Sequence, residues 1–270
     1  MDEHGKIYWH EAFYEALKLE LHQYKDFLEF QNEHQLSKEA LRIDVLVVKK
    51  NADVPIKKNI GKIFRGHNIF EYKSELDSFS FWDYNKVMGY AFLYSSFEKI
   101  PLSEITVSVA LTMFPREAVK SLKHEHGFSV QDLDNGIYYI EGGIVPIQIL
   151  ESKRLSKHDN LFLRNLRSNL SAEDMLNTLQ SYQEHRPLDG KNVFLDRLIR
   201  ANLAVFKEAM KMSETVKDIF LETAEENGWL EKYGNAKAIK IARKLLLLGD
   251  SVEKVSEATE LPVDVVTSLL

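Results

Sequence analysis

Eight residues constrain this chain more than any others: L-R-I-D-V-L-V-V at positions 41–48. β-Branched and apolar side chains fill the run almost without a break, as in a strand buried on both faces rather than a helix. One acid, Asp44, interrupts it. An ionised carboxylate among Ile43, Val45, Leu46 and Val47 is costly unless a cation pairs with it or it coordinates a metal.

Turn signals follow at Asn51, Pro55 and Gly61, then at Arg65-Gly66-His67-Asn68, and a second extended stretch, N-I-F-E-Y-K, occupies 68–73. Side chains alternate along a strand, so Ile69, Glu71 and Lys73 share one face while Phe70 and Tyr72 share the other. With Asp44 on a neighbouring strand, Glu71 completes an oxygen cage for a hard divalent cation. Lys73 then stands ready to orient water or to offset negative charge developing on a phosphoryl group. A structural ion pair of Asp44 with Arg42, Lys73 or another cation satisfies the same residues, and spacing alone leaves both readings open.

The 270 residues contain no cysteine, which excludes disulfides, a thiolate nucleophile and Cys-ligated metal, so metal chemistry must use oxygen or nitrogen ligands. The start, M-D-E-H-G-K-I-Y-W-H, lacks the basic and apolar pattern of a signal peptide, and no run approaches a membrane span; a cytoplasmic protein without membrane partners is expected. The net charge of −6 argues against a uniformly basic coat, but it is unevenly spread. Nine acids stand against four lysines in 1–41, whereas eight bases stand against three acids in 42–73. Either a solvated face or phosphate neutralisation beside a cleft accounts for that reversal.

Apolar positions at Phe13, Ala16, Leu17, Leu21, Tyr24 and Leu28 predict a helix over 9–29. Ser80-Phe-Trp-Asp83 has the spacing of a capping box, and Tyr84, Val87, Met88, Ala91 and Tyr94 carry the helix after it to about Ser96. Strand character returns at Ile105–Leu111, Tyr138–Ile140 and Ile144–Leu150. From residue 153 onward the pattern is helical, over roughly 171–183, 192–211, 213–228 and 236–248. The expected division is an α/β domain at 1–152 and a helical region at 153–270, closing in a three-helix tail of helix-turn-helix type. Ser251 is the expected N-cap there and Pro262 suits a first helical turn. The candidate recognition helix, P-V-D-V-V-T-S-L-L, has no Arg, Lys, Asn or Gln to read a base, and suits dimerisation or docking better. His67, His124 and His126 lack the convergent spacing of a zinc site, and Gly142-Gly143-Ile144 reads as a turn rather than a phosphate loop.

The order of helix, R-I-D-V-L-V-V strand, I-F-E-Y-K-S strand and D-Y-N-K-V-M-G-Y-A-F-L-Y-S-S helix resembles the PD-(D/E)XK nuclease superfamily over about residues 9–100. It is most similar to the bacterial PD-(D/E)XK family transposases, or recombination-promoting nucleases, whose helical tail it also resembles. The resemblance implies a restriction-endonuclease-like α/β fold: an αβββαβ core with a mixed central sheet flanked by helices, followed by an all-α C-terminal region. It also implies Mg²⁺-dependent (or Mn²⁺-dependent) hydrolysis of DNA in transposition or recombination. Asp44, Glu71 and Lys73 match the family's catalytic positions. Asp44, Glu71 and the Tyr72 backbone carbonyl match its metal ligands, and Glu20 is the auxiliary acid expected on the first helix, with Glu15 behind it. The family's Q-x-x-x-Y element has a partial counterpart in Lys86 and Tyr90, with Lys86 replacing glutamine, and Ile43 stands where many relatives have proline. Lys86, Tyr90, Lys49 and Lys50 are the nucleic-acid-binding candidates. Double-strand cleavage calls for two sites, so a homodimer is expected. A catalytically silent DNA-binding protein of the same fold and a protein-interaction module are the competing functions.

Overall fold

A continuous run of buried positions from Ile105 to Leu111 forms the middle of a seven-stranded sheet. The structure is a computed structural model that describes residues 9–35, 42–50, 54–185, 193–213 and 229–267. Its strands are β1 (Leu28–Gln35), β2 (Arg42–Lys49), β3 (His67–Lys73), β4 (Ile105–Leu111), β5 (Ser129–Asp132), β6 (Ile137–Glu141) and β7 (Ile147–Glu151). They lie in the order β1-β2-β3-β4-β7-β6-β5. The pairs β3–β4 and β4–β7 are parallel, and β1–β2, β2–β3, β7–β6 and β6–β5 are antiparallel, so the sheet is mixed. Parallel neighbours need crossovers. Helix α2 (Phe81–Glu98) makes the one from β3 to β4, and helix α3 (Arg116–His126) with the β5–β6 hairpin makes the one from β4 to β7.

Helix α1 (Trp9–Glu20) covers one face of the sheet, where Phe13 stacks on Tyr72 at 4.7 Å between ring centres. On the other face Tyr84, Val87, Met88, Ala91 and Tyr94 of α2 are buried with Leu46, Ile69, Val107 and Val109 of the sheet. The capping box forms as the spacing predicts: Asp83 N–H donates to Ser80 Oγ and Ser80 N–H donates to Asp83 Oδ2 at 2.8 Å. The chain thus begins α-β-β-β-α-β.

The first helix ends nine residues earlier than the expected Glu29. A 3₁₀ turn at His22–Tyr24 follows, and Leu28 opens β1 opposite Lys49. The apolar spacing of Leu28 suits helix and strand alike. Tertiary pairing decides, because β1 satisfies backbone groups along the outer edge of β2. Helix α3 was not announced by the sequence pattern, since only Ala118, Val119 and Leu122 of its residues are apolar.

The chain divides into two compact units, Met1–Ser213 and Glu214–Leu270. Helices α4 (Leu161–Asn165), α5 (Ala172–Glu184), α6 (Val193–Ala201) and α7 (Leu203–Met212) therefore belong with the sheet, and the shift at residue 152 marks where strands end rather than where the units part. The helix expected over 192–211 breaks at Asn202, whose Nδ2 donates to the carbonyls of Leu198 and Arg167 while its Oδ1 accepts from Leu170 N–H. A side chain that bonds backbone on both sides competes with the helix ladder. Most of the segment 213–228 lies outside the described residues.

The second unit holds α8 (Trp229–Leu247), α9 (Val252–Thr259) and α10 (Val263–Thr267) around Ala242, Val255, Leu261 and Val266. Ser251 caps α9 through Lys254 N–H, as its position predicts. No described helix is long and apolar enough to cross a membrane.

Candidate active site

The regular β2–β3 ladder runs from Val48↔His67 to Val45↔Phe70, and the next step of that register sets Asp44 opposite Glu71. At this point the Asp44 side chain replaces the ladder: its Oδ2 accepts the Tyr72 N–H at 2.8 Å. Tyr72 therefore directs its backbone amide, and with it its carbonyl, toward β2. By the same alternation Asp44 and Glu71 occupy a pair not joined by backbone hydrogen bonds, where opposed side chains approach most closely. The β1–β2 ladder also lapses here, at Glu33, whose φ of +44° is left-handed.

The buried Glu71 acts on the half-buried Asp44 that it faces. Burial, and then the charge of Glu71, push the Asp44 carboxyl up to about 6, against the lowering pull of the Tyr72 N–H and of His10. His10 Nε2, at the start of α1, stands 3.7 Å from Asp44 Oδ2. Of the cations considered for a structural pair, Arg42 and Lys73 are engaged elsewhere, Arg42 with Glu33 at 3.0 Å, and His10 is the other basic side chain that stands at Asp44.

Glu71 is 4% exposed, and its Oε1 lies 3.3 Å from Lys73 Nζ and 3.5 Å from Lys86 Nζ. Strand alternation thus puts Glu71 beside Lys73, as expected. Lys73 also donates to Asp83 Oδ1 at 2.8 Å, so the residue that caps α2 fixes the ammonium. Desolvation pulls the Lys73 pKa down, but the Asp83 bond and the charges of Glu71 and Asp83 outweigh it and raise it. Burial likewise opposes ionisation of Asp83, yet the bonds from Lys73 and Ser80 hold it at about 2. Lys86 lies 5.2 Å from the centre of the buried Tyr90 ring, a cation–π contact that aims the ammonium toward Glu71.

Among the described residues, Asp44 Oδ1 and Glu71 Oε2 have no hydrogen-bond or ion-pair partner. Carboxylate and carbonyl oxygens are the donor types that a hard cation of the Mg²⁺ type takes, typically one or two carboxylates with water and substrate phosphate filling its shell. No group of three histidine or acidic side chains suited to a metal stands together among the described residues.

The expected third acid does not join them. Glu20 Oε2 pairs with Lys58 Nζ at 2.9 Å, and its Oε1 accepts Phe162 N–H at 2.6 Å and Leu163 N–H at 3.2 Å at the start of α4. Burial outweighs those partners and raises its pKa. The reason is helix length: His10 is the α1 residue beside Asp44, and Glu20 lies ten residues, about 15 Å, further along. Glu15 is equally occupied, accepting Phe194 N–H at 2.6 Å at the start of α6. Lys49 ends β2 about 17 Å along the strand from Asp44, and Lys50 follows it.

The sequence reading missed His10 and gave Asp83 only a capping role. His10 precedes Phe13 by one helical turn, and only the seating of Phe13 on Tyr72 reveals that it reaches Asp44. Of the histidines considered for zinc, His67 bonds the Tyr94 hydroxyl through Nδ1 at 2.8 Å, His124 is exposed, and His126 stacks on Phe81. Comparison with protein-family models, with curated proteins and with solved structures finds no match.

Proposed function

We propose that Asp44, Glu71 and Lys73 form the centre of a metal-dependent deoxyribonuclease of the PD-(D/E)XK type, on a restriction-endonuclease-like core, serving transposition or recombination in the cytoplasm. One observation carries this reading: two inward-facing acids with unengaged oxygens, an ammonium fixed beside them, and the Tyr72 backbone turned toward the same place. The α-β-β-β-α-β order and the E-x-K spacing support it.

Asp44, Glu71 and the Tyr72 carbonyl would hold the cation. A bound Mg²⁺ or Mn²⁺ would supply polarisation of the phosphoryl group and a lowered pKa of water. Lys73 orients the attacking water and offsets the negative charge that grows on the phosphoryl oxygens. Asp83 positions Lys73 and keeps it protonated. Lys86, half exposed beside Glu71, faces the incoming phosphate.

Supercoiled plasmid incubated with the purified protein and Mg²⁺ or Mn²⁺ is expected to be nicked or linearised, and EDTA to stop the reaction. Plasmid left intact with both metals overturns the proposal. The Lys73–Asp83 bond, shorter than the Lys73–Glu71 contact, favours a second reading in which Lys73 only ties β3 to α2 and the protein binds DNA without cutting it.

A further inference from the structure

Register across the parallel strands aligns Lys73 of β3 with Leu111 of β4 and Glu151 of β7. The carboxyl end of β7 therefore lies two strand spacings, about 10 Å, from Lys73 and at the same end of the sheet. The chain leaves β7 through a 3₁₀ turn, Ser152–Arg154, into a basic stretch: Lys153, Arg154, Lys157, Arg164 and Arg167 against Asp159.

These cations divide by what they touch. Lys157 and Arg167 are drawn to Asp174, at 2.8 and 3.9 Å. Arg164 NH1 donates to the carbonyls of Lys153 and Leu155, both at 2.6 Å, and so pins the turn. Lys153 and Arg154 remain exposed. Arg154 is held in place all the same: NH1 donates to the Tyr138 hydroxyl at 2.6 Å, and that hydroxyl donates to Glu151 at 2.9 Å. The same nitrogen lies 3.8 Å from Glu151 Oε2, which offsets part of the charge, while the side chain as a whole is 56% exposed and has four further N–H groups.

The turn is also locked from below. Gly136, at φ +76°, accepts Glu151 N–H at 2.7 Å, and a Cβ there would stand 2.6 Å from the Glu151 carbonyl oxygen and 2.9 Å from Arg154 Cβ. Only glycine admits this close approach.

We infer that Lys153 and Arg154 form a phosphate-binding site for the DNA backbone beside the candidate centre, the strand crossing the carboxyl ends of β3, β4 and β7. This rests on the nuclease reading for its ligand, but it concerns binding and is tested without cleavage. Each phosphate contact with duplex DNA contributes about 0.9 to the slope of log affinity against log salt.

The test measures the affinity of the full chain for a labelled 30-base-pair duplex in EDTA across a salt series. Lys153→Ala should flatten the slope by about 0.9 and the double variant with Arg154→Ala by about 1.8, while Arg154→Lys keeps it. Lys153→Ala removes an exposed side chain only, which secures the test if the double variant unfolds. Slopes unchanged in both alanine variants, with wild-type binding intact, overturn this inference alone. Wild-type protein with no affinity at low salt overturns it together with the nuclease reading.

Discussion

Asp44→Asn is expected to stabilise the metal-free protein at pH 7.5 while abolishing its activity. The folded Asp44 carboxyl is raised from 3.8 to about 6, so ionisation favours the unfolded chain. Stability is therefore lost as pH rises from about 4 through about 6, and the full cost is present at pH 7.5. Asparagine carries no charge toward Glu71, yet its Oδ1 can still accept the Tyr72 N–H that Asp44 now receives. A shift of about two units sets a ceiling near 3 kcal/mol. That net shift already includes the attraction to His10 and Lys86; the amide N–H groups of asparagine, which need acceptors that a carboxyl does not, reduce the expected gain to about 1–2 kcal/mol. Urea melts in EDTA should show that gain at pH 7.5 and none below pH 4, whereas a destabilised variant at pH 7.5 would refute the account of Asp44. Cleavage should fall about a thousandfold or more, roughly 4 kcal/mol of barrier.

Glu20→Ala should do the reverse, costing stability and sparing chemistry. The substitution leaves Lys58, whose side chain is 16% exposed, without its counter-charge, and removes the acceptor of two N–H groups at the start of α4. Breaking one side of such a buried pair costs about 3–5 kcal/mol. For a unit of this size that corresponds to a melting point lower by roughly 10 °C. Glu20→Gln keeps an amide oxygen for Phe162 and Leu163 and should lose about 2 kcal/mol. Because burial already raises the pKa of Glu20, the neutral glutamine resembles a form the site tolerates. The folded glutamine variant should cut DNA within about twofold of wild type at 25 °C, a change of under half a kcal/mol. Lost cleavage with an unchanged melting point would return Glu20 to the chemistry.

These two acids show what the sequence could and could not reveal. The strands around Asp44 and Glu71 were legible because β-branched runs are unambiguous, and alternation alone put Glu71 beside Lys73. The capping box of α2 was legible because both of its hydrogen bonds are local. Strand pairing is not local: nothing in 41–48 says which residue of 68–73 Asp44 will face, and the β2–β3 register supplied it. Glu20 was misplaced for the same reason, since its helix was legible while the direction of the helix over the sheet was not. Only the observed contact of His10 with Asp44 shows that the start of α1, and not its end, meets the acids. The basic turn after β7 went unread because Lys153 and Arg154 match no motif and gain meaning only from the alignment of Lys73, Leu111 and Glu151.

The central claim is that Asp44, Glu71 and Lys73 hydrolyse phosphodiester bonds with a divalent cation. Its most direct test is cleavage of one end-labelled DNA substrate by wild type, Asp44→Ala and Lys73→Ala, purified side by side and assayed in Mg²⁺, Mn²⁺ and EDTA. The account predicts cleavage by wild type in either metal, none in EDTA, and none by either variant. Absence of wild-type cleavage in both metals, or cleavage that survives both substitutions, would contradict it.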